Sequence, residues 1–294
     1  MNLSIGVCAF NEERNIRTLL DDILSQKGLP KAVNVIVVAS GCTDDTAEIV
    51  REVMGNDPRV LLVEEETRTG KTGAINLILG KCQSELLAIV DADIRLPRDS
   101  LNEVLREFSD QKIGVVGALP VVGNSENGHI AKSAAVIWRV MRRALCELSV
   151  TGELSYVMGE MYCFRTSLFG KIPSEIVNDD AYVATLARSK GFKVTLAPGA
   201  NFVTKVPSSV RDYVAQRRRV TFGHLQIKAK TGRFPTSMEG VALDHTWVLV
   251  RAMISETASR PSNIIRALLI LELEIVTRLL AWLDLKTGRQ HVLY

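Results

Sequence analysis

An α/β fold, with a mostly parallel sheet flanked by helices and a helical C-terminal appendage, is predicted by three features of this 294-residue sequence. Short apolar runs alternate with stretches of helical periodicity, polar clusters follow the ends of those runs, and the chain becomes essentially helical from residue 207 onward. The runs at 3–10, 33–38, 60–63 and 86–90 read as strands, because near-continuous Val, Ile and Leu suits strands covered on both faces. Amphipathic helices fill the intervals. After residue 99 the pattern is mixed: a helix near 130–148, a strand-like stretch at 156–164, a helix near 181–190 and a short strand at 192–196. Gly232, Pro235 and Pro261 mark breaks between the later helices. The expected division is one α/β domain over 1–230 and a helical region over 231–294.

A hydrophobic content of 47% supports a sizeable core. The net charge of +3 is too mild to call for nucleic acid, and none is expected as a partner. Arg217, Arg218 and Arg219 form a basic run that points instead to a local anionic partner. Cys8, Cys42, Cys82, Cys146 and Cys163 are scattered without zinc or redox spacing and read as reduced thiols packed as small apolar groups. Met1 leads directly into a strand-like segment without a basic and then apolar leader, so a cytoplasmic location is expected. The apolar stretch 264–285 is interrupted by Arg266, Glu272, Glu274, Arg278 and Asp284, which argues against a simple span. A peripheral place on the cytoplasmic membrane face, or contact with a second copy of the chain as a homo-oligomer, suits it better; a plain buried helix is the alternative.

Ligands of such sheets bind at the carboxyl ends of the strands. Asn11-Glu12-Glu13, Ser40 to Asp44, Thr69-Gly70-Lys71 and Asp91-Ala92-Asp93 all fall there. Two carboxylates separated by one small residue can converge on a hard cation, Mg²⁺ or Mn²⁺, which takes oxygen ligands together with substrate phosphates; the same pair can also form a solvated turn or a helix cap. Asn11-Glu12-Glu13 can cap the following helix while Glu12 faces a ligand. A phosphate loop around Lys71 would need glycine where Glu65 stands, so a nucleoside triphosphatase is rejected, yet Lys71 at a helix start still suits a diphosphate. Asn178-Asp179-Asp180 precedes a helix and reads either as its cap or as the source of a general base. Gln216 and Arg219, three apart, share a helix face able to hydrogen-bond phosphate oxygens. His224 follows soon after and is a candidate for phosphate or metal, whereas His129, His245 and His291 have no readable partner.

Together these segments resemble the family-two inverting glycosyltransferases of the GT-A fold, particularly the branch of cellulose, chitin and hyaluronan synthases, over residues 3–223. The matching residues are Ala9-Phe10-Asn11-Glu12-Glu13, Gly70-Lys71 ahead of Ala74-Ile75-Asn76, Asp91-Ala92-Asp93, Gly159 to Arg165, Asp179-Asp180, and Gln216 with Arg219. The resemblance implies transfer of a sugar from a nucleotide-sugar donor, UDP-linked, to the hydroxyl of a lipid-linked or glycan acceptor, with inversion. It implies that Asp180 is the catalytic base and that Asp93, with Asp91, holds Mg²⁺ or Mn²⁺, to which His224, soon after Arg219, is a candidate third ligand from its position alone. It further assigns Phe10, Asn11, Glu12, Ser40, Lys71, Asp91, Gly159, Asp179, Gln216 and Arg219 to the substrates. Two positions depart from the family: an acid that commonly reads the nucleobase is replaced by Ser40, and the tryptophan after the glutamine-arginine motif by Val220. The second departure points away from extension of a long polysaccharide. A sugar-phosphate nucleotidyltransferase and a non-catalytic nucleotide-sugar-binding protein remain the alternatives; the first would carry a glycine-rich basic loop after the opening strand, the second would lack the acids.

Overall fold

The computed structural model describes residues 2–30, 32–289 and 291. The final residues of the expected C-terminal region, 290 and 292–294, lie outside these. The chain forms two compact units, one built from Met1–Leu119 with Val157–Phe202, the other from Pro120–Tyr156 with Val203–His291.

The first unit carries a seven-stranded sheet. Its strands are β1 (Leu3–Ala9), β2 (Val33–Ser40), β3 (Val60–Glu65), β4 (Leu86–Asp91), β5 (Ile113–Val122), β6 (Met161–Arg165) and β7 (Lys193–Thr204), in the order β3-β2-β1-β4-β6-β5-β7. Strands β1 to β4 pair in parallel, and β6 enters between β4 and β5 antiparallel to both. The helices are α1 (Ile16–Leu24), α2 (Thr46–Asn56), α3 (Lys71–Lys81), α4 (Ser100–Glu107) and, after α5 of the second unit, α6 (Asp179–Ser189).

Alternation along the strands decides which helix covers which face. Leu3, Ile5, Val7 and Ala9 of β1, Leu86, Ala88 and Val90 of β4, and Met161 and Cys163 of β6 form one core with Leu19 and Ile23 of α1, Val50 of α2 and Val104 of α4. The intervening residues face the other way, towards α3: a Cβ added at Gly6 would lie 2.6 Å from Cγ2 of Ile78. On that opposite side lie Cys8 and Asp91, paired in register at the ends of β1 and β4. Burying a strand residue of this kind contributes about 1.5–3 kcal/mol each, so a one-residue slip of β4, which would exchange its two faces, is strongly disfavoured.

Four elements differ from expectation. The stretch 156–164 becomes a strand only at Met161, leaving Gly159 and Glu160 in the loop that enters β6. The short strand at 192–196 runs on to Thr204 through Pro198 and Gly199, which an edge strand tolerates because its outer N–H groups need no ladder partner. Strand β5 and helix α4 lie in the region read only as mixed. All five cysteines are free thiols.

The second unit contains α5 (Gly128–Thr151), α7 (Val210–Thr231), α8 (Met238–Asp244), α9 (Thr246–Ser259) and α10 (Ser262–Thr287). Helix α7 stops at Gly232, whose φ of 79° is the left-handed cap conformation that glycine adopts most readily. Helix α10 packs on α7, α5 and α9. This packing mixes apolar residues, Ala267, Ile270 and Ala281, with polar ones. Glu274, Thr277, Asp284 and Asn263 of α10 are buried, and the carboxylates are ion-paired inside the bundle. Arg217 donates to Glu274 at 2.7 Å, Arg218 holds Asp284 through two hydrogen bonds, and Arg139 reaches Glu256 of α9 at 2.6 Å. The anionic partners of Arg217 and Arg218 are thus internal.

Candidate active site

Strand β4 delivers its last residue, Asp91, to the carboxyl end of the parallel strands, and the turn that follows continues the in-out alternation. Ala92, Ile94 and Leu96 are buried, whereas Asp91 is half-buried and Asp93 exposed. One small apolar residue between the acids therefore anchors the turn while both carboxylates point away from the core.

Opposite Asp91 stands Lys71, the first residue of α3. Its Nζ lies 2.7 Å from Asp91 Oδ1 and 3.8 Å from Asp179 Oδ1, and it donates to the Gly159 carbonyl at 2.8 Å. Burial alone would make Lys71 give up its proton more readily, but Asp179 and Asp91 outweigh it and hold the ammonium well above the usual lysine range. Lys71 is a permanent cation that draws together the ends of β4, α3 and α6.

The acids Asp179 and Asp180 occupy the first turn of α6 rather than preceding it, and both are buried. Tyr162, which projects from β6 on the same face as Asp91, donates its hydroxyl to Asp179 Oδ2 at 2.6 Å. Burial and the charge of Asp179 push the Tyr162 phenol far up, so it stays a donor. Asp179 is therefore committed to Tyr162 and Lys71. Asp180 lies against Gly159: a Cβ there would come within 3.0 Å of Asp180 Oδ2. Gly159 thus leaves room for a carboxylate packed on the backbone, and Asp91, Lys71, Asp179 and Asp180 form one constellation.

Glu160 is the residue that the sequence reading passes over. Its backbone carbonyl accepts from Asp91 N at 2.9 Å. Burial, helped by Asp91 and Asp180 and opposed by Lys71, pushes its carboxyl up to about 8. An acid entering an apolar strand is the mirror of Asp91 leaving one, and that was the available signal. Cys8, beside Lys71, is raised far beyond reactive values chiefly by burial and acts as a small neutral filler.

At the end of β1 the expected helix cap is not formed. Asn11 adopts a φ of 55°, and its side chain spans to the loop after β2, accepting from Thr43 N at 2.8 Å and donating to Thr43 Oγ1 at 3.2 Å. Glu12 N donates to Thr46 Oγ1 at 2.7 Å and Glu13 N to Asp44 at 3.1 Å, so Asn11-Glu12-Glu13 ties two loops together instead of capping α1. The Glu12 carboxyl is raised, first by burial and then by Asp93, Asp91 and Asp44, against a lowering bond from Asn15. It therefore shares its electrostatic surroundings with the acidic turn. Nearby, the Arg68 guanidinium sits 3.6 Å from the Phe10 ring centroid, and the buried Ser40 accepts from Thr69 N at 3.4 Å.

Gln216, Arg219 and His224 belong to the second unit. Gln216 and Arg219 are half-buried on α7. His224 is buried, with Nδ1 2.8 Å from Glu239 Oε2, and its Nε2 has no partner among the described residues. Burial would raise Glu239, but His224, Arg217 and Ser237 hold it well below the usual range, so an ionised acceptor faces an Nδ1–H. Two further histidines, whose partners the sequence alone does not reveal, also face carboxylates: His291 lies 2.8 Å from Asp284 and His245 3.6 Å from Glu153. Among the described residues no three metal-binding side chains cluster, but Mg²⁺ and Mn²⁺ need only one or two carboxylates when substrate phosphates supply the remaining oxygens, and Asp93 and Asp91 fit that requirement.

A mostly parallel sheet with one antiparallel insertion, bearing acids, a lysine and an acidic helix start at the carboxyl end of the parallel strands, defines a GT-A glycosyltransferase. Residues 4–172 match the family described as "Glycosyl transferase family 2", and the chain belongs to it. That membership sets aside the nucleotidyltransferase and non-catalytic readings. Poly-beta-1,6-N-acetyl-D-glucosamine synthase of Staphylococcus aureus is 23% identical over 244 residues, 78% of this chain and 58% of the relative, so the chain spans just over half the relative's length. Beta-monoglucosyldiacylglycerol synthase of Nostoc sp. is 28% identical over 159 residues, 52% of this chain and 34% of the relative. A mannosyltransferase from Pyrobaculum calidifontis, solved with GDP-Man and Mn²⁺, superposes with a TM-score of 0.70 at 24% identity, covering 98% of this chain and 88% of its own. TarS 1-349 of S. aureus with UDP-GlcNAc gives 0.59 at 17%, covering 98% and 92%.

Proposed function

We propose that this enzyme transfers a sugar from a UDP-linked donor to a hydroxyl of a lipid-linked or glycan acceptor, with inversion, and that Asp180 is the general base. The observation that carries this reading is the meeting of Asp180 with Gly159, Lys71 and Asp91 at the carboxyl end of the parallel strands. Asp179 is held by Tyr162 and Lys71, and Asp180, packed on the Gly159 backbone, is the acid of the pair that the family resemblance casts as the base. It would take the acceptor proton while the new bond forms at the anomeric carbon opposite the departing nucleoside diphosphate.

In this reading Asp93, helped by Asp91, would hold Mg²⁺ or Mn²⁺, which when bound supplies charge neutralisation for the diphosphate. Lys71 adds a fixed cation, and the N-terminus of α3 adds free N–H groups and a positive dipole end. Phe10, Asn11, Glu12 and Ser40 line the donor side, where Ser40 offers a hydroxyl in place of a base-reading acid. Gln216 and Arg219 are substrate candidates on the strength of the family pattern, His224 is a metal candidate from its place soon after Arg219, and residues 1–230 are the catalytic part.

Asp180→Asn keeps the shape and removes the proton acceptor. We expect unaltered donor binding, read as a thermal shift with Mn²⁺, and transfer slowed by about 10²–10⁴-fold. Undiminished turnover would overturn the assignment. The same shift assay across UDP- and GDP-sugars identifies the nucleotide.

A further inference from the structure

We propose that the outer face of α9 and α10 is a binding surface for a bilayer containing anionic phospholipid. The inference is independent of the donor chemistry, because it rests on the second unit alone.

Helix α10 is apolar on the face that it turns outward. Its inward face mixes Ala267, Ile270 and Ala281 with Asn263, Glu274 and Asp284, whereas its outward face presents Ile265 at 75% exposure, Leu268 at 56%, Ile275 at 59%, Leu279 at 60% and Trp282 at 50%. Placed at about 100° per residue, the exposed apolar side chains cover about half the circumference of the helix. A water-facing helix has the opposite arrangement, and a two-helix seam needs only a narrow stripe. Helix α9 continues the surface with Trp247, 75% exposed, and Ile254.

The charges complete the match. Arg260 stands at the entrance to α10, Lys286 and Arg289 at its exit, all exposed and without ion pairs among the described residues, while Glu272 is the exposed acid of the helix. An apolar strip with cations at its two ends and tryptophans on the surface has the composition of a helix lying in the headgroup region of an anionic leaflet. No helix among the described residues is long and apolar enough to cross a membrane, so α10 lies along the surface. Burying carboxylates such as Glu274 and Asp284 against arginines inside the bundle frees the outer face for apolar contact.

The test is flotation of the 294-residue chain with vesicles of phosphatidylcholine alone or with added phosphatidylglycerol, alongside tryptophan emission. The chain should float with the anionic vesicles, with a blue shift, and about tenfold less in high salt or without phosphatidylglycerol. Leu268→Gln, Ile275→Gln and Leu279→Gln combined should abolish flotation while keeping the melting transition. If that variant does not fold, Arg260→Gln with Lys286→Gln must reduce flotation instead. The proposal is overturned if the wild type stays unbound with both vesicle types, if the folded variants float undiminished, or if the wild type forms a concentration-dependent dimer that the triple variant dissolves and does not float.

Discussion

Lys71 is where most of the site's electrostatics meet. Its ammonium is shared by Asp91, Asp179 and the Gly159 carbonyl, so removing it leaves the buried Asp179 with the Tyr162 hydroxyl as its hydrogen-bond partner among the described residues. Lys71→Ala should cost about 3 kcal/mol in urea-induced unfolding, because an uncompensated buried charge is more expensive than the pair is stabilising. Gly159 serves differently. A methyl group at this position would press on Asp180 Oδ2 at 3.0 Å, so the carboxylate must turn away or shift. Gly159→Ala should lower kcat by more than about tenfold with a near-normal melting temperature, since small misplacements at a reacting group cost rate rather than stability. An equal fall in stability and rate would show a packing role instead.

At the scale of the element, α7 and α10 are joined by buried pairs that set an acid limb on stability. Burial would raise Asp284, but Arg218 and His291 hold it below its ordinary value of 3.8. A depressed carboxylate adds stability that is complete above the ordinary value and lost as the pH falls through the folded one. Asp284→Asn should therefore destabilise by about 3 kcal/mol at neutral pH and flatten the decline in melting temperature below pH 4, followed by circular dichroism. These pairs also explain what the sequence could and could not show. Strands β1 to β4 were legible because each is a run of Val, Ile and Leu closed by polar residues, and Asp91, Asp93 and Lys71 stood where such runs end. Arg217 and Arg218 were misread because their partners lie about sixty residues away in α10. Periodicity locates an apolar stripe on α10 but cannot say that it faces outward, and it ends β7 at Leu196, ahead of Pro198, because edge position is a tertiary fact.

For the whole molecule, the fold places acids from β4 and α6 and the base of α3 at one end of the strands only because β6 is reversed. An antiparallel strand brings its entrance, with Gly159 and Glu160, to the end that its parallel neighbours reach with their exits. A donor gripped there should stabilise the folded chain. A nucleotide sugar at a hundred times its dissociation constant should add about 2.7 kcal/mol when Mn²⁺ is present, and Asp93→Ala should remove most of that gain in a thermal-shift titration. The reversed strand has a further consequence for the nascent chain. Strands β1 to β4 have been synthesised by residue 91, yet the second neighbour of β4, strand β6, does not begin until residue 161. Throughout that interval β4 keeps a bare, sticky margin, so fragments ending before β6 should precipitate, and slow translation across those seventy residues would demand a chaperone's protection.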